Sequence, residues 1–258
     1  MRLFLKILGG LFLLLIIAIG ALAFSLRAQQ PATTFDVQAR AAGDGTSYLI
    51  FGATRNTGLM VARILVERGD RVTAFVRPTS KIADLEKLDV EIAVGDAMEI
   101  DTVRAAMATG EFDAVLTTIG CFSCDPPPDY EGNANIFRAA SGAGIDRVVL
   151  VTTIGPGESF DSLPGLSARF LADMIPLKEK AEDALRASGL DYTIVRPGGL
   201  RSDNRTGNGI LSEDPLAFGY IFREDLAELI VAVLDDDRAI GKTLAAIDSE
   251  RGFPWSNE

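Results

Sequence analysis

Residues 48–77 read YLIFGATRNTGLMVARILVERGDRVTAFVR. Tyr48–Phe51 is a short apolar run, the pattern of a strand buried on both faces of a parallel sheet. A turn bounded by Gly52 and Gly58 follows. From Leu59 to Glu67 apolar residues recur at helical spacing, and Gly69 marks the end. Arg71–Val76 is a second strand. The whole is a strand–turn–helix–strand unit whose turn opens the helix, where free N–H groups and the helix dipole attract an anion. A Gly-x-x-x-x-x-Gly turn alone says little, but its position between these elements makes it a phosphate-site candidate. Gly52, Thr54, Asn56, Thr57 and Gly58 are its candidate lining.

Two positions address which anion. Arg55 stands where a dinucleotide-binding turn has its middle glycine, so its side chain must leave the pyrophosphate path and lie near the cofactor's ribose. At the end of the second strand an NAD-selective site places Asp or Glu to accept from the ribose hydroxyls, whereas this chain has Arg77. Arg55 and Arg77 together suit a 2′-phosphate held in fork geometry. The expected cofactor is NADP(H) in preference to NAD(H), against the plainer reading of a solvated basic rim.

The alternation continues along the chain. Strands are expected at 90–94, 114–118, 147–153 and 192–196, with helices at 100–109, 133–144 and 177–188. Asp96, after the third strand, can reach an adenine; Thr118 and Pro197 close the fourth and sixth strands on the same edge. Alternating strands and helices give an α/β fold with a doubly wound parallel sheet and ligands at the strand carboxyl ends. One domain is expected over 47–250, after a linker at 28–46 of small and polar residues and before a short tail at 251–258.

These segments resemble the NmrA-like, atypical short-chain dehydrogenase/reductase family. The resemblance rests on Gly52-Ala53-Thr54 through Gly58, Val76-Arg77, Gly95-Asp96, Asp129-Tyr130-Glu131-Gly132-Asn133 and Val151–Gly155. It rests further on Ser188-Gly189-Leu190-Asp191-Tyr192-Thr193-Ile194-Val195-Arg196-Pro197 and on Arg223-Glu224-Asp225-Leu226-Ala227. It implies a Rossmann-like fold that binds NADP(H), in a family that mixes reductases with members that only hold or sense the cofactor. Active short-chain reductases use a Tyr, a Lys four residues later and a Ser or Thr after the fifth strand. By resemblance the Lys is Lys178 and the hydroxyl Thr153, but the Tyr position holds Met174, and a thioether donates no proton. Tyr130 is the tyrosine expected nearest the cofactor. A hydride acceptor needing little proton donation, flavin- or quinone-like, fits this set; a cofactor-holding sensor or assembly factor without turnover is the alternative. The second molecule is an unidentified small one, shaped by 163–175 and 201–222.

Composition narrows the chemistry. The 258 residues include no His and two Cys, which excludes a His base, a Ser-His-Asp triad and ordinary tetrahedral zinc, so no metal is expected. Lys+Arg 25 against Asp+Glu 36 gives net −11, a poor match to nucleic acid. No charge occurs from Ile7 to Leu26, a 20-residue run long enough to span a bilayer as a helix. It reads as a single-pass membrane anchor within 1–27, ahead of a signal peptide cleaved after Ala21-Leu22-Ala23 and a secreted product. Arg2 and Lys6 before it favour an external domain, but NADP(H) is cytosolic, and the cytosolic side is expected. Without the three basic residues of 1–30, the remainder has 22 basic against 36 acidic residues, net −14. Cys121 and Cys124, in a Pro-rich loop after the fourth strand, read first as two free thiols, with a structural disulfide and a redox pair as alternatives. Nothing in the sequence sets an oligomeric state.

Overall fold

In a computed structural model, residues 12, 15, 16, 19, 30–40 and 42–250 are described. All five side chains of β1 (Ser47–Phe51) are buried, and they alternate between the two faces of the sheet. Tyr48 and Ile50 join the apolar cluster under α1 (Asn56–Glu67) and α6 (Arg223–Asp235). Leu49 and Phe51 join the opposite cluster, under α2 (Ile100–Met107), α3 (Glu131–Ala143) and α5 (Ile175–Arg186). A strand covered on both sides has no solvated face, so its sequence is continuously apolar.

The main sheet adds β2 (Arg71–Val76), β3 (Glu91–Val94), β4 (Ala114–Thr117), β5 (Arg147–Val151), β6 (Asp191–Pro197), β8 (Gly209–Ser212) and β10 (Lys242–Asp248). Its order is β3-β2-β1-β4-β5-β6-β10-β8. The order turns at β1, between β2 and β4, and the carboxyl ends of the strands on either side of that switch open the ligand crevice. The parallel α/β core agrees with the sequence expectation. The sheet is not wholly parallel, however: β8 runs antiparallel to β10 on the edge. A separate parallel pair, β7 (Gly199–Arg201) with β9 (Tyr220–Phe222), lies beyond β6. A short helix, α4 (Gly165–Phe170), precedes α5. β7, β8 and β9 were not legible because they have only three or four residues each, and β10, with the apolar run Leu244–Ile247, was missed.

The segment expected as a linker carries no helix or strand over 30–40 and 42–46, yet it is fastened to the domain. Phe35 N–H donates to the Leu211 carbonyl at 2.7 Å, and Phe35 and Val37 pack on the cluster under α1 and α6. Arg40 pairs with the buried carboxylate of Asp235 at 3.0 Å, where Arg68 also binds it at 2.5 Å and Tyr48 Oη lies at 3.3 Å. The free tether read from composition is therefore corrected. Its partners lie some 180 to 200 residues away, beyond any local pattern. Among the described residues no helix is long and apolar enough to cross a membrane. The segment expected at 7–26 lies outside them, save Phe12, Leu15, Ile16 and Ile19, and so does the tail at 251–258.

Burial opposes ionisation of Asp235, but hydrogen bonds from Arg68 and Arg40 outweigh it and hold the carboxyl below its usual range. Burial and the Asp235 charge push Tyr48 up to about 12. Asp235→Asn removes the carboxylate that Arg68 and Arg40 share, while Arg68 keeps Asp70 and Arg40 keeps Asp44, and is expected to cost about 2 kcal/mol at pH 7 by urea unfolding. A group with a depressed folded pKa stabilises above its unfolded value and loses that stabilisation as pH falls through the folded one. The gap between wild type and variant should accordingly close below about pH 4. A gap that persists into acid would contradict this assignment.

Candidate functional site

The turn between β1 and α1 is built on two glycines. Gly52 has φ +92°, in the left-handed region open to glycine, and a Cβ on it would lie 2.5 Å from Thr118 Oγ1. A Cβ on Gly58 would meet the Gly52 carbonyl oxygen at 2.3 Å, so the first turn of α1 abuts the strand end only because Gly58 has no side chain. No side chain caps α1 and its first turn carries no acid, which leaves its N–H groups for an external anion. Gly52, Thr54, Arg55, Asn56, Thr57 and Gly58 all line one cleft of about 2060 Å³ along the strand carboxyl ends. That exceeds the ~300–1,000 Å³ of an ordinary small-molecule pocket and has room for a dinucleotide beside a second molecule.

Arg77 closes the same end with Lys81, which the sequence reading had not singled out. Arg55, Arg77 and Lys81 have no carboxylate partner among the described residues. Asp96 lines the cleft beyond them; its Oδ1 accepts from the Met98 N–H at 3.0 Å, which sets the loop. Thr118, Thr153, Lys178 and Pro197 line the same cleft, Thr118 against the glycine turn through the Phe51 and Gly52 carbonyls. The glycine-turn residues, Arg77, Asp96, Thr118, Thr153, Lys178 and Pro197 thus line one space.

Around Lys178 the geometry departs from a standard reductase. Its ammonium pairs at 2.9 Å with Asp129, a carboxylate 1% exposed that also accepts from the Cys121 N–H at 2.9 Å. Asp129 entered the sequence reading as part of a family segment, without this role. Met174 is buried and does not line the cleft. Nor does Tyr130, which packs under the sheet with Lys180 Nζ 6.0 Å from its ring. The tyrosine that faces the cleft is Tyr220 on β9, whose phenol pKa is raised by burial against the lowering effect of Arg201. Gly198 and Gly199 admit it: a Cβ on Gly198 would strike the Gly219 carbonyl oxygen at 2.2 Å, and one on Gly199 the Tyr220 ring at 2.5 Å. Both expected pocket segments contribute, through Leu163, Leu166, Phe170, Phe218 and Tyr220.

Cys121 and Cys124 form a disulfide on the cleft rim, which corrects the first reading of two free thiols. Three-residue spacing in a turn brings the two sulfurs together. Phe122 within that loop lies against Phe170, centroids 5.5 Å apart. Among the described residues no group of His, Cys, Asp and Glu could hold a metal.

The NAD(P)H-binding family matches residues 52–237, and this chain belongs to it. It is 31% identical over 193 residues to a Bacillus subtilis protein described as an uncharacterized sugar epimerase, YhfK, covering 72% of this chain and 87% of that one. It is 32% identical to the chloroplast protein TIC 62 of Pisum sativum over 72% of this chain and 40% of that one. Among solved structures, ChuY, an anaerobillin reductase from Escherichia coli, superposes with TM-score 0.73 at 27% identity, covering 80% of this chain and 98% of ChuY. These matches are consistent with the NmrA-like, atypical short-chain reductase resemblance.

Gly58→Ala places a methyl group against a backbone carbonyl and is expected to weaken NADPH binding at least about tenfold in calorimetry. Gly142→Ala, in open space on α3, should leave it unchanged.

Proposed function

We propose that this protein is an NADP(H)-dependent reductase that passes a hydride to a flavin- or quinone-like acceptor. The observation that carries it is the cleft itself: an uncapped helix N-terminus, three cations without a carboxylate partner among the described residues, and apolar lining from Leu163, Leu166, Phe170 and Phe218. Bound NADPH supplies the hydride. The N–H groups of the first turn of α1 receive the pyrophosphate, Arg55 and Arg77 the 2′-phosphate, and Asp96 the adenine side. Thr153 and Lys178 stand beside the nicotinamide half, Lys178 positioned by Asp129. With Met174 outside the cleft, an acceptor whose reduced form takes its proton from water matches the residues better than a simple carbonyl. The similarity to ChuY supports a reductase reading.

A second reading, a cofactor-holding sensor or assembly factor without turnover, is favoured by the Asp129–Lys178 pair, because a lysine neutralised by a buried carboxylate is a weaker aid to acid catalysis. Similarity to TIC 62 supports it as well. NADPH oxidation with a panel of flavins, quinones and aldehydes separates the two: turnover on flavins or quinones supports the reductase, and tight binding without turnover the sensor. In the same protein NADPH should bind at least about tenfold more tightly than NADH, with most of that preference lost in Arg77→Glu. Equal dissociation constants in wild type overturn the NADP(H) assignment.

The proposal includes a membrane anchor at 7–26 with the domain on the cytosolic side, supported by the uncharged run and by where NADP(H) is found. A topology reporter fused after Glu258 should report the cytosol; an external signal would reject this placement.

A further inference from the structure

Arg223 opens α6 and lines the cleft at the end remote from Arg55 and Arg77. Its Nη1 donates to Ser202 Oγ at 2.6 Å, but its Nε is buried and finds no acceptor. No carboxylate pairs with it among the described residues. The acids that follow it do not serve: Glu224 is exposed, and the Asp225 carboxylate accepts from the Thr206 and Gly207 N–H groups at 2.9 Å each. Neighbouring cations are satisfied, Lys178 by Asp129 and Arg201 by Asp203. A guanidinium that lines a cleft with no carboxylate partner among the described residues leaves its charge, and the edge not bound to Ser202, for a ligand. An oxyanion is the group that matches its fork.

The surrounding wall is apolar, from Leu166, Phe170, Leu200, Phe218 and Leu226. Leu166 and Phe170 are 63% and 74% exposed, large apolar surfaces left open at the mouth. We infer that Arg223 selects the acceptor: the second ligand is a flat, largely apolar molecule carrying an anionic group on its edge, which Arg223 grips while the ring lies on the apolar wall. This rests on the reading of the cleft as a site for NADP(H) and a second molecule, and it names the second molecule's class. The anion can be a carboxylate or a phosphate, so the probes cover both.

The test measures dissociation constants on NADP⁺-saturated protein for two pairs, riboflavin with FMN and methyl 2-naphthoate with 2-naphthoate. The anionic member of at least one pair should bind about tenfold or more tightly than its neutral partner. In Arg223→Met the advantage should shrink to within about twofold while NADP⁺ affinity stays unchanged. If Arg223→Met also weakens NADP⁺ binding, Arg223→Lys, which keeps the charge and loses the fork, gives the same readout; its anion advantage should fall at least about threefold. The inference is overturned by no anion preference, by a preference that survives both substitutions, or by no binding of any probe to the loaded protein. Those failures with NADP⁺ still bound leave the cofactor reading standing. Failure of the wild type to bind NADP⁺ removes that reading instead.

Discussion

Everything at the cofactor end follows from one close approach. The carbonyl of Gly52 occupies the space where a side chain on residue 58 would start. Only with glycine there does the first turn of α1 reach the carboxyl end of β1 and aim its free N–H groups into the crevice. The same contact sets the origin of a helix that packs on Tyr48 and Ile50 from one side of the sheet. The candidate phosphate site and the covering of the sheet are therefore not separate features. The helix that hides half of β1 also presents the candidate anion site, and a side chain at residue 58 would disturb both.

Charge is distributed to match. The domain is acidic, and most of its cations are consumed in pairs: Arg68 and Arg40 on Asp235, Arg186 and Arg196 on Glu182, Lys178 on Asp129. Among the described residues Arg63, Arg71, Arg147 and Arg169 lack a carboxylate partner away from the cleft, and Arg55, Arg77 and Arg223 line the cleft without one. In a chain of net −11 such positions concentrate the attraction for an anionic ligand where the walls are least hydrated. Lys178 shows the converse. The resemblance puts it at the reductases' lysine position, and Asp129, tied to the disulfide loop through the Cys121 N–H, pairs with it and fixes its place.

Much of this architecture was legible because it is local. Residues 48–77 are a contiguous unit whose apolar spacing, glycines and terminal arginine speak for themselves, and the later strands repeat the pattern. Features that failed to show were those made by residues far apart in sequence. The bonds of Arg40 to Asp235 and of Phe35 to Leu211 convert an aperiodic stretch into a strap. Tyr130, within a family segment, does not line the cleft, whereas Tyr220 on a three-residue strand is admitted by the close approach of Gly198 and Gly199.

By itself the sequence determined the α/β class and the glycine-bounded turn and singled out residues that line one cleft, because periodicity and glycine placement act within a few residues along the chain. Only the tertiary structure decided which cations keep an unanswered charge, which tyrosine meets the cleft and that the two cysteines are joined. Those outcomes depend on what each side chain meets across the sheet edge, and a carboxylate such as Asp129 or Asp235 finds its partner through the packing of elements rather than through spacing.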